Sequence, residues 1–287
     1  MAKSNKTILK WAGSKVRIME QLRPHLPKAK RLVEPFAGSC AVMMNTDYEQ
    51  YLIADANIDL IRLYKQVKAD DFGFVPSLID FFIQGNNETL FYQRREIFNR
   101  RDKESDAQLF ESIEDYNKAV ERNKAGLFLY LNRHCYNGLC RYNSKGNFNV
   151  PFGKYKKPYF PENEIIAFHH KAYRAEIVNL EWQDTLSLVE YSDGIYCDPP
   201  CMGGRDSFTQ YHTAGFTDAD HEALAIALKD INDSQGNPIT VSNSPQAKTL
   251  YADLGFTIHE IEAPRTIAAN GNRKLAIEII AVLEGIK

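Results

Sequence analysis

An apolar run that stops at an acid and two prolines, Ile195-Tyr196-Cys197-Asp198-Pro199-Pro200-Cys201, is the most chemically specific segment of this chain. The prolines fix the backbone and leave no spare N–H groups. The turn therefore presents the Asp198 carboxylate and the Pro199 carbonyl side by side. Two fixed acceptors suit a target with two donors, such as the exocyclic amine of a nucleobase. A strand-ending turn with a solvated aspartate would use the same residues. In a second segment, Glu34-Pro35-Phe36-Ala37-Gly38-Ser39-Cys40, Gly38 lets the backbone approach a ligand, and the helix start that follows favours negative or electron-rich groups. It has one glycine where a dinucleotide fingerprint has three. Seventeen residues after Gly38, Asp55 ends the apolar run Tyr51-Leu52-Ile53-Ala54. That is near the ~20-residue offset at which an acid accepts hydrogen bonds from ribose hydroxyls. Capping a helix that begins near Asn57 is its alternative use.

A third region carries charge. The 38 residues from Lys124 to Pro161 hold seven Lys or Arg, nine aromatics and no Asp or Glu. Basic residues interleaved with rings suit a polyanion whose bases can be stacked upon. Core aromatics beside a solvated basic face are the plainer reading, but the absence of any acid favours nucleic acid. The net charge of −2, from 35 basic and 37 acidic side chains, is thus a cancellation between segments, because Asp102 to Glu121 is rich in acids. It counts only against a protein that coats nucleic acid over its whole surface.

These residues need a frame. Apolar runs at 31–34, 51–54, 175–178, 194–197, 239–242, 257–261 and 276–283 read as strands. Helices are expected over 40–45, 58–67, 218–233 and 245–254. The middle, roughly 70 to 135, reads as mostly helical, with Phe91, Ile97, Phe98, Phe110, Ile113 and Val120 facing inward. Asn143-Ser144-Lys145-Gly146-Asn147 reads as a hairpin turn. Alternation at both ends around a helical, basic middle indicates one α/β sheet interrupted by an insertion. The length, at ~150 residues per domain, agrees. We expect 1–68 and 170–287 to form the catalytic domain and 69–169 the recognition domain. No apolar run approaches the ~18 residues of a membrane span. The polar N-terminus has no apolar leader, so the expectation is a cytoplasmic protein without a membrane partner. The five cysteines do not make a disulfide framework. Cys197 with Cys201, and Cys135 with Cys140 near His134, lack zinc spacing, so no metal is expected.

Taken together, the chain resembles the Dam-type DNA adenine-N6 methyltransferases from Leu9 to about Leu283. The resemblance is carried by Leu9-Lys10-Trp11-Ala12-Gly13-Ser14-Lys15, Val33-Glu34-Pro35-Phe36-Ala37-Gly38, Ala54-Asp55-Ala56-Asn57, Leu129 to Arg133, Tyr136 to Asn143, and Phe148 to Gly153. Cys197-Asp198-Pro199-Pro200, Tyr211-His212-Thr213, Phe216-Thr217 and Ser242-Asn243 complete it. It implies a Rossmann-like methyltransferase sheet with an inserted, mostly helical DNA-recognition domain containing a β-hairpin. It also implies S-adenosyl-L-methionine as cofactor and double-stranded DNA as partner. The enzyme would act as a monomer, flipping the adenine of GATC out of the duplex. Trp11, Lys15, Phe36, Gly38, Asp55, Asp184 and Asp198 would line the cofactor site. Asp198, Pro199, Pro200 and Cys201 would be the catalytic turn. Lys10, Leu139, Arg141 and Pro151 would read bases, Tyr136 would wedge into the duplex, and Asn137 would help hold the opened site. Asn143, Asn149, Lys154 and Lys156 complete the DNA contacts. The roles are chemically sensible: Arg141 can grip a guanine edge, and Leu139 and Pro151 can meet a thymine methyl.

The chain departs from the family pattern at three places. Cys201 stands where the family has an aromatic, usually Tyr, that stacks on the flipped adenine. Such stacking is worth ~1–3 kcal/mol; Phe208 or Tyr211 could replace it. Cys40 stands where the family often has a second loop glycine. Residues 102–123 look expanded relative to compact family members. Three readings follow: an active GATC adenine methyltransferase, a GATC-binding protein with impaired catalysis, or an enzyme whose enlarged pocket modifies another amine or transfers a bulkier group.

Overall fold

Short apolar strands set the frame. The computed structural model describes residues 4–69, 73–100, 110–203, 216–264 and 275–286. Within them, β1 (Arg31–Glu34), β2 (Gln50–Ala54), β3 (Ala175–Val178), β4 (Asp193–Cys197), β5 (Ile239–Asn243), β6 (Thr257–Pro264) and β7 (Leu275–Leu283) form one sheet. Its order is β3-β2-β1-β4-β5-β7-β6. The first five strands pair in parallel, and β7 runs antiparallel to both β5 and β6. This is the expected α/β, Rossmann-like sheet, with each strand lying where its apolar run stands in the sequence.

The pleat distributes successive side chains to opposite faces. Leu32, Tyr51, Ile53, Tyr196 and Ile280 enter one apolar cluster, whereas Val33, Leu52, Ile195, Cys197, Ile279 and Ala281 enter the other. Because both faces are buried, the strands read as continuous apolar runs. The helices, in chain order, are α1 (Met19–Leu22), α2 (Ala41–Met44), α3 (Ile58–Ala69), α4 (Phe74–Ile83), α5 (Glu88–Asn99), α6 (Ile113–His134), α7 (Glu162–Ala172), α8 (Trp182–Leu186), α9 (Asp218–Gln235) and α10 (Lys248–Asp253). The second face is covered by α8, α9 and α10 through Trp182, Leu224, Leu228 and Tyr251. The first face is covered by α3, α6 and α7, and its core continues into α4 and α5 through Phe82, Phe91 and Phe98. The helical middle therefore packs on the sheet through shared apolar surface. Each fully buried ring there contributes ~1.5–3 kcal/mol.

Three expectations are corrected. Phe91 and Phe98 are buried with Arg94, three and four residues apart, so they form a single stripe of α5. Ile97 lies off that stripe and is exposed, as are Phe110 and Ile113 at the outer end of α6. The hairpin around 143–147 is reduced to isolated antiparallel bridges, Tyr142 with Phe148 and Cys135 with Phe152. Its tip is held by Asn143, whose side-chain oxygen accepts from the backbone N–H of Lys145 and of Asn147, each at 3.0 Å. The helix expected over 245–254 is a 3₁₀ turn, Pro245–Ala247, that runs into α10.

Candidate active site

Strand order reverses between β1 and β4, and in open α/β sheets the carboxyl ends of the strands beside such a switch flank the ligand crevice. Here β1 ends at Glu34, before the Gly38 loop, and β4 ends at Cys197, before Asp198-Pro199-Pro200. The topology alone thus brings the two sequence segments to one edge. Asp198 is partly exposed. Its Oδ1 receives two donors, the Lys15 ammonium at 3.0 Å and the Ser242 hydroxyl at 3.0 Å. Its Oδ2 takes no hydrogen bond from the described residues. The carboxylate is held by one oxygen and offers the other. Ser242 spends its hydrogen on Asp198, so the Tyr196 hydroxyl, 2.8 Å away, donates to Ser242. Asn243, next on β5, accepts the Met202 N–H at 3.0 Å and so fixes the chain beyond the Pro-Pro turn.

Burial pushes the Asp198 carboxyl above the ordinary carboxylate range; Lys15 opposes this, the charge of Glu278 adds to it, and the Ser242 hydroxyl opposes it. Lys15 is itself buried, which alone would lower its pKa, but Asp198 and Glu278 overcome that and hold it protonated. Glu278 stands 3.2 Å from the same ammonium. Glu34, wholly buried at the end of β1, is pushed up to about 8 by burial, against a backbone N–H from Met43 and with a further rise from Asp198. Two acids thus stand at the ends of neighbouring strands in different environments, and the buried Glu34 stays neutral at neutral pH.

The Gly38 loop is shaped by two left-handed residues, Gly38 (φ 46°) and Cys40 (φ 55°). Cys40 occupies a conformation that favours glycine, at a cost of roughly 1–2 kcal/mol. Its side chain is fully buried, away from the crevice. A side chain at Gly38 would meet the Trp11 indole nitrogen at 2.9 Å, so the glycine is what lets Trp11 lie on the loop. Asp55 accepts the Gly38 N–H at 3.0 Å and the Asn57 N–H at 2.9 Å. It does not cap α3. Asn57 does, accepting from the backbone N–H of Asp59 and Leu60. Phe36 is partly buried, edge-on to Phe216 with ring centroids 5.7 Å apart. Asp184 is exposed in the first turn of α8, and no hydrogen bond joins it to the Gly38 loop among the described residues. Asn179, just ahead of α8, instead ties the end of β2, donating to the carbonyls of Asp55 and Ala56 at 2.8 and 3.1 Å.

The basic stretch resolves into two populations. Lys124 caps α5, donating to the carbonyls of Phe98 and Arg100, and Arg133 is buried against the Thr7 and Ile8 carbonyls. Both are structural. Lys145, Lys154, Lys156 and Lys157 are exposed. Of the nine rings only Tyr136 and Tyr159 are exposed, Tyr136 by 54%. Two consecutive left-handed residues, Asn137 (φ 55°) and Gly138 (φ 67°), make the turn that pushes Tyr136 outward. Its N–H donates to the carbonyl of the exposed Pro151 at 2.8 Å, so wedge and base-reading candidates share one surface. Arg141 donates from Nε to Asn149 Oδ1 at 2.8 Å, which orients the guanidinium and leaves its terminal nitrogens without a partner among the described residues. Leu139 differs. It is buried in the core, where it fills space beneath the turn. Lys10 packs its stem against Gly138 and lays its ammonium 4.1 Å from the centre of the Tyr155 ring.

The sequence reading gave no role to several residues that hold this arrangement. Asn132, fully buried, accepts the Lys10 N–H and donates to the carbonyls of Lys10 and Gly138, joining the N-terminal segment to the Tyr136 turn. Ser242 and Asn243 entered only as part of a resemblance, and Glu278 not at all. A lone acid inside the apolar run Leu275–Leu283 was the available signal for Glu278. Phe208 and Tyr211, considered as substitutes for the stacking ring, lie outside the described residues, as do residues 102–109 of the expanded 102–123 segment.

The sequence profile of the family described as D12 class N6 adenine-specific DNA methyltransferase matches residues 11–267. The chain is 48% identical over 279 residues to a retron Ec67 DNA adenine methylase of Escherichia coli, covering 96% of this chain and 90% of that protein. It is 41% identical over 271 residues to a DNA adenine methylase of Serratia marcescens, covering 93% and 94%. A DNA adenine methylase of Vibrio cholerae serotype O1 is 38% identical over 284 residues, covering 98% and 96%. A crevice at the sheet's switch point, a fixed carboxylate with one open oxygen and a family match across most of the sequence agree: the chain belongs to the D12 class N6 adenine-specific DNA methyltransferases, enzymes that act on DNA.

Proposed function

We propose that this enzyme uses S-adenosyl-L-methionine to methylate adenine N6 within GATC in double-stranded DNA, acting as a monomer on a base flipped out of the duplex. The observation that carries the reading is Asp198, whose Oδ1 is pinned by Lys15 and Ser242 while Oδ2 takes no hydrogen bond from the described residues. S-adenosyl-L-methionine, when bound, supplies an electrophilic methyl group on a sulfonium. The residues present fit such a donor. Gly38 lets the Trp11 indole lie on the loop at the end of β1, and Asp55, which holds that loop through the Gly38 N–H, stands at the end of β2 where it would meet ribose hydroxyls.

Adenine N6 is a poor nucleophile because its lone pair is delocalised into the ring. Asp198 Oδ2 and the Pro199 carbonyl accept its two N–H bonds and favour localising that pair. With Gly38, Trp11 and Asp55 holding it, the donor would supply its methyl group to N6, the electron pair of the broken bond staying with sulfur. One N6 proton passes to Asp198 and on to water. Because the Pro-Pro turn and Asn243 fix the acceptors, positioning supplies much of the acceleration. Residues 69–169 would serve target recognition, with Tyr136 filling the gap left by the flipped base, Arg141 and Pro151 reading base edges, and Lys154 and Lys156 holding phosphates.

One observation keeps a second reading in play: Cys201, at the stacking position, is exposed. A small side chain there removes a ring and opens room, which suits impaired turnover or a different acceptor or donor group. Mass spectrometry of nucleosides from DNA exposed to the protein in cells separates the cases. We expect N6-methyladenine. Unmodified adenine, or another adduct, would overturn the first reading in favour of the second.

A further inference from the structure

The catalytic carboxylate does not face Lys15 alone. β5 and β7 pair antiparallel, with Ser242 opposite Ile280 and Asn243 opposite Ile279. Glu278 therefore comes one residue beyond the last pair, just past the carboxyl end of β5, which is the end that carries the Asp198 contacts. Period-two alternation puts it on the same face as Ile280, the face packed by the N-terminal segment. There Lys15 Nζ lies 3.2 Å from Glu278 Oε2 and 3.0 Å from Asp198 Oδ1. From the geometry we infer that Glu278 is a positioning residue for methyl transfer: by sharing Lys15, it anchors the ammonium that aims Asp198 while keeping that carboxylate a net negative acceptor for the adenine amine.

A lysine paired one-to-one with Asp198 would hold its oxygen but neutralise it, weakening the hydrogen bond that draws on N6. Two carboxylates on one buried ammonium leave the cluster with one net negative charge. Lys15 is 6% exposed and bracketed from two sides, so it has little freedom to swing away from Asp198. Other groups near Asp198 are Ser242 from β5, Tyr196 and Cys197 from β4, Glu34 from β1, and Cys201 in the turn itself. The buried Cys197 thiol and Tyr196 phenol are pushed up by burial and stay neutral. Glu278 is thus the second charged acid at this ammonium, and its charge raises the Asp198 pKa.

This inference rests on the proposed reaction, so the wild-type enzyme is the control. Failure of wild type to methylate would sink that reading. In an active wild type, kcat depends on ionised Asp198 and falls as pH drops through its raised pKa. Glu278→Gln keeps a hydrogen-bond acceptor but removes the charge. We expect kcat to fall about tenfold with KM for DNA within about twofold, and the acid limb of the kcat profile to move to lower pH. Glu278→Asp restores the charge and should return the acid limb towards wild type, and it serves as the test if the glutamine variant does not fold. An acid limb that Glu278→Gln leaves in place would overturn the inference, including when the melting temperature falls.

Discussion

Asp198 and Cys201 sit three residues apart and pull the chemistry in different directions. Asp198 is held by Lys15 and Ser242 through one oxygen, so its open oxygen can accept from an exocyclic amine without rearrangement. Cys201 offers no ring to stack on that amine's base, and it is exposed. Losing base–aromatic stacking worth ~1–3 kcal/mol lowers the occupancy of a flipped base by about one to two orders of magnitude. Cys201→Tyr is therefore expected to raise turnover on duplex DNA, or lower the DNA concentration it requires, in a steady-state methylation assay. Unchanged kinetics would mean that another ring already covers the base. Cys40 follows a different logic. Its left-handed backbone shows why glycine suits the position, yet its buried thiol points into the core and does not crowd the crevice.

At the level of elements, the proposed recognition surface is a set of turns tied to the end of α6. Asn132 clamps Lys10 to Gly138, Tyr136 pairs with Pro151, and Asn149 orients Arg141. Exposed Lys154 and Lys156 lie on the segment that follows. Arg141→Ala should relax discrimination at the guanine by ~1–3 kcal/mol, whereas Lys156→Ala should weaken all sequences alike. Competition binding with GATC and scrambled duplexes reads both. Equal losses on the two duplexes for Arg141→Ala would contradict its role. The strands were legible in the sequence because burial on both faces writes continuous apolar runs, as in β1, β2 and β4. The helical middle was less so. On α5, Ile97 has the same composition signal as Phe98 but faces solvent, and only packing against α6 decides which stripe is inside. The clamping roles of Asn132 and Asn57 were invisible for a related reason. Their partners are backbone atoms whose proximity exists only once the chain has folded.

Across the whole molecule, one sheet edge gathers what the sequence scatters. Residues 10–15, 36–40, 55, 198–202, 242–243 and 278 converge because β1 and β4 are neighbours with opposite onward connections, and because β7 returns antiparallel beside β5. Net charge gave no hint of this: acids elsewhere mask the exposed lysines of 145–157. The Asp198-Pro199-Pro200 turn and the Gly38 loop could be found from residue types, since proline and glycine impose local geometry. Glu278 lies 80 residues from Asp198 in sequence, and its part depends on strand register. The central claim is that the edge methylates adenine in GATC, and the direct measurement is incorporation of labelled methyl from S-adenosyl-L-methionine into matched duplexes. The account predicts incorporation into a GATC duplex, none into GTTC, and loss with Asp198→Asn. Background incorporation into GATC, with binding to that duplex intact, would contradict it.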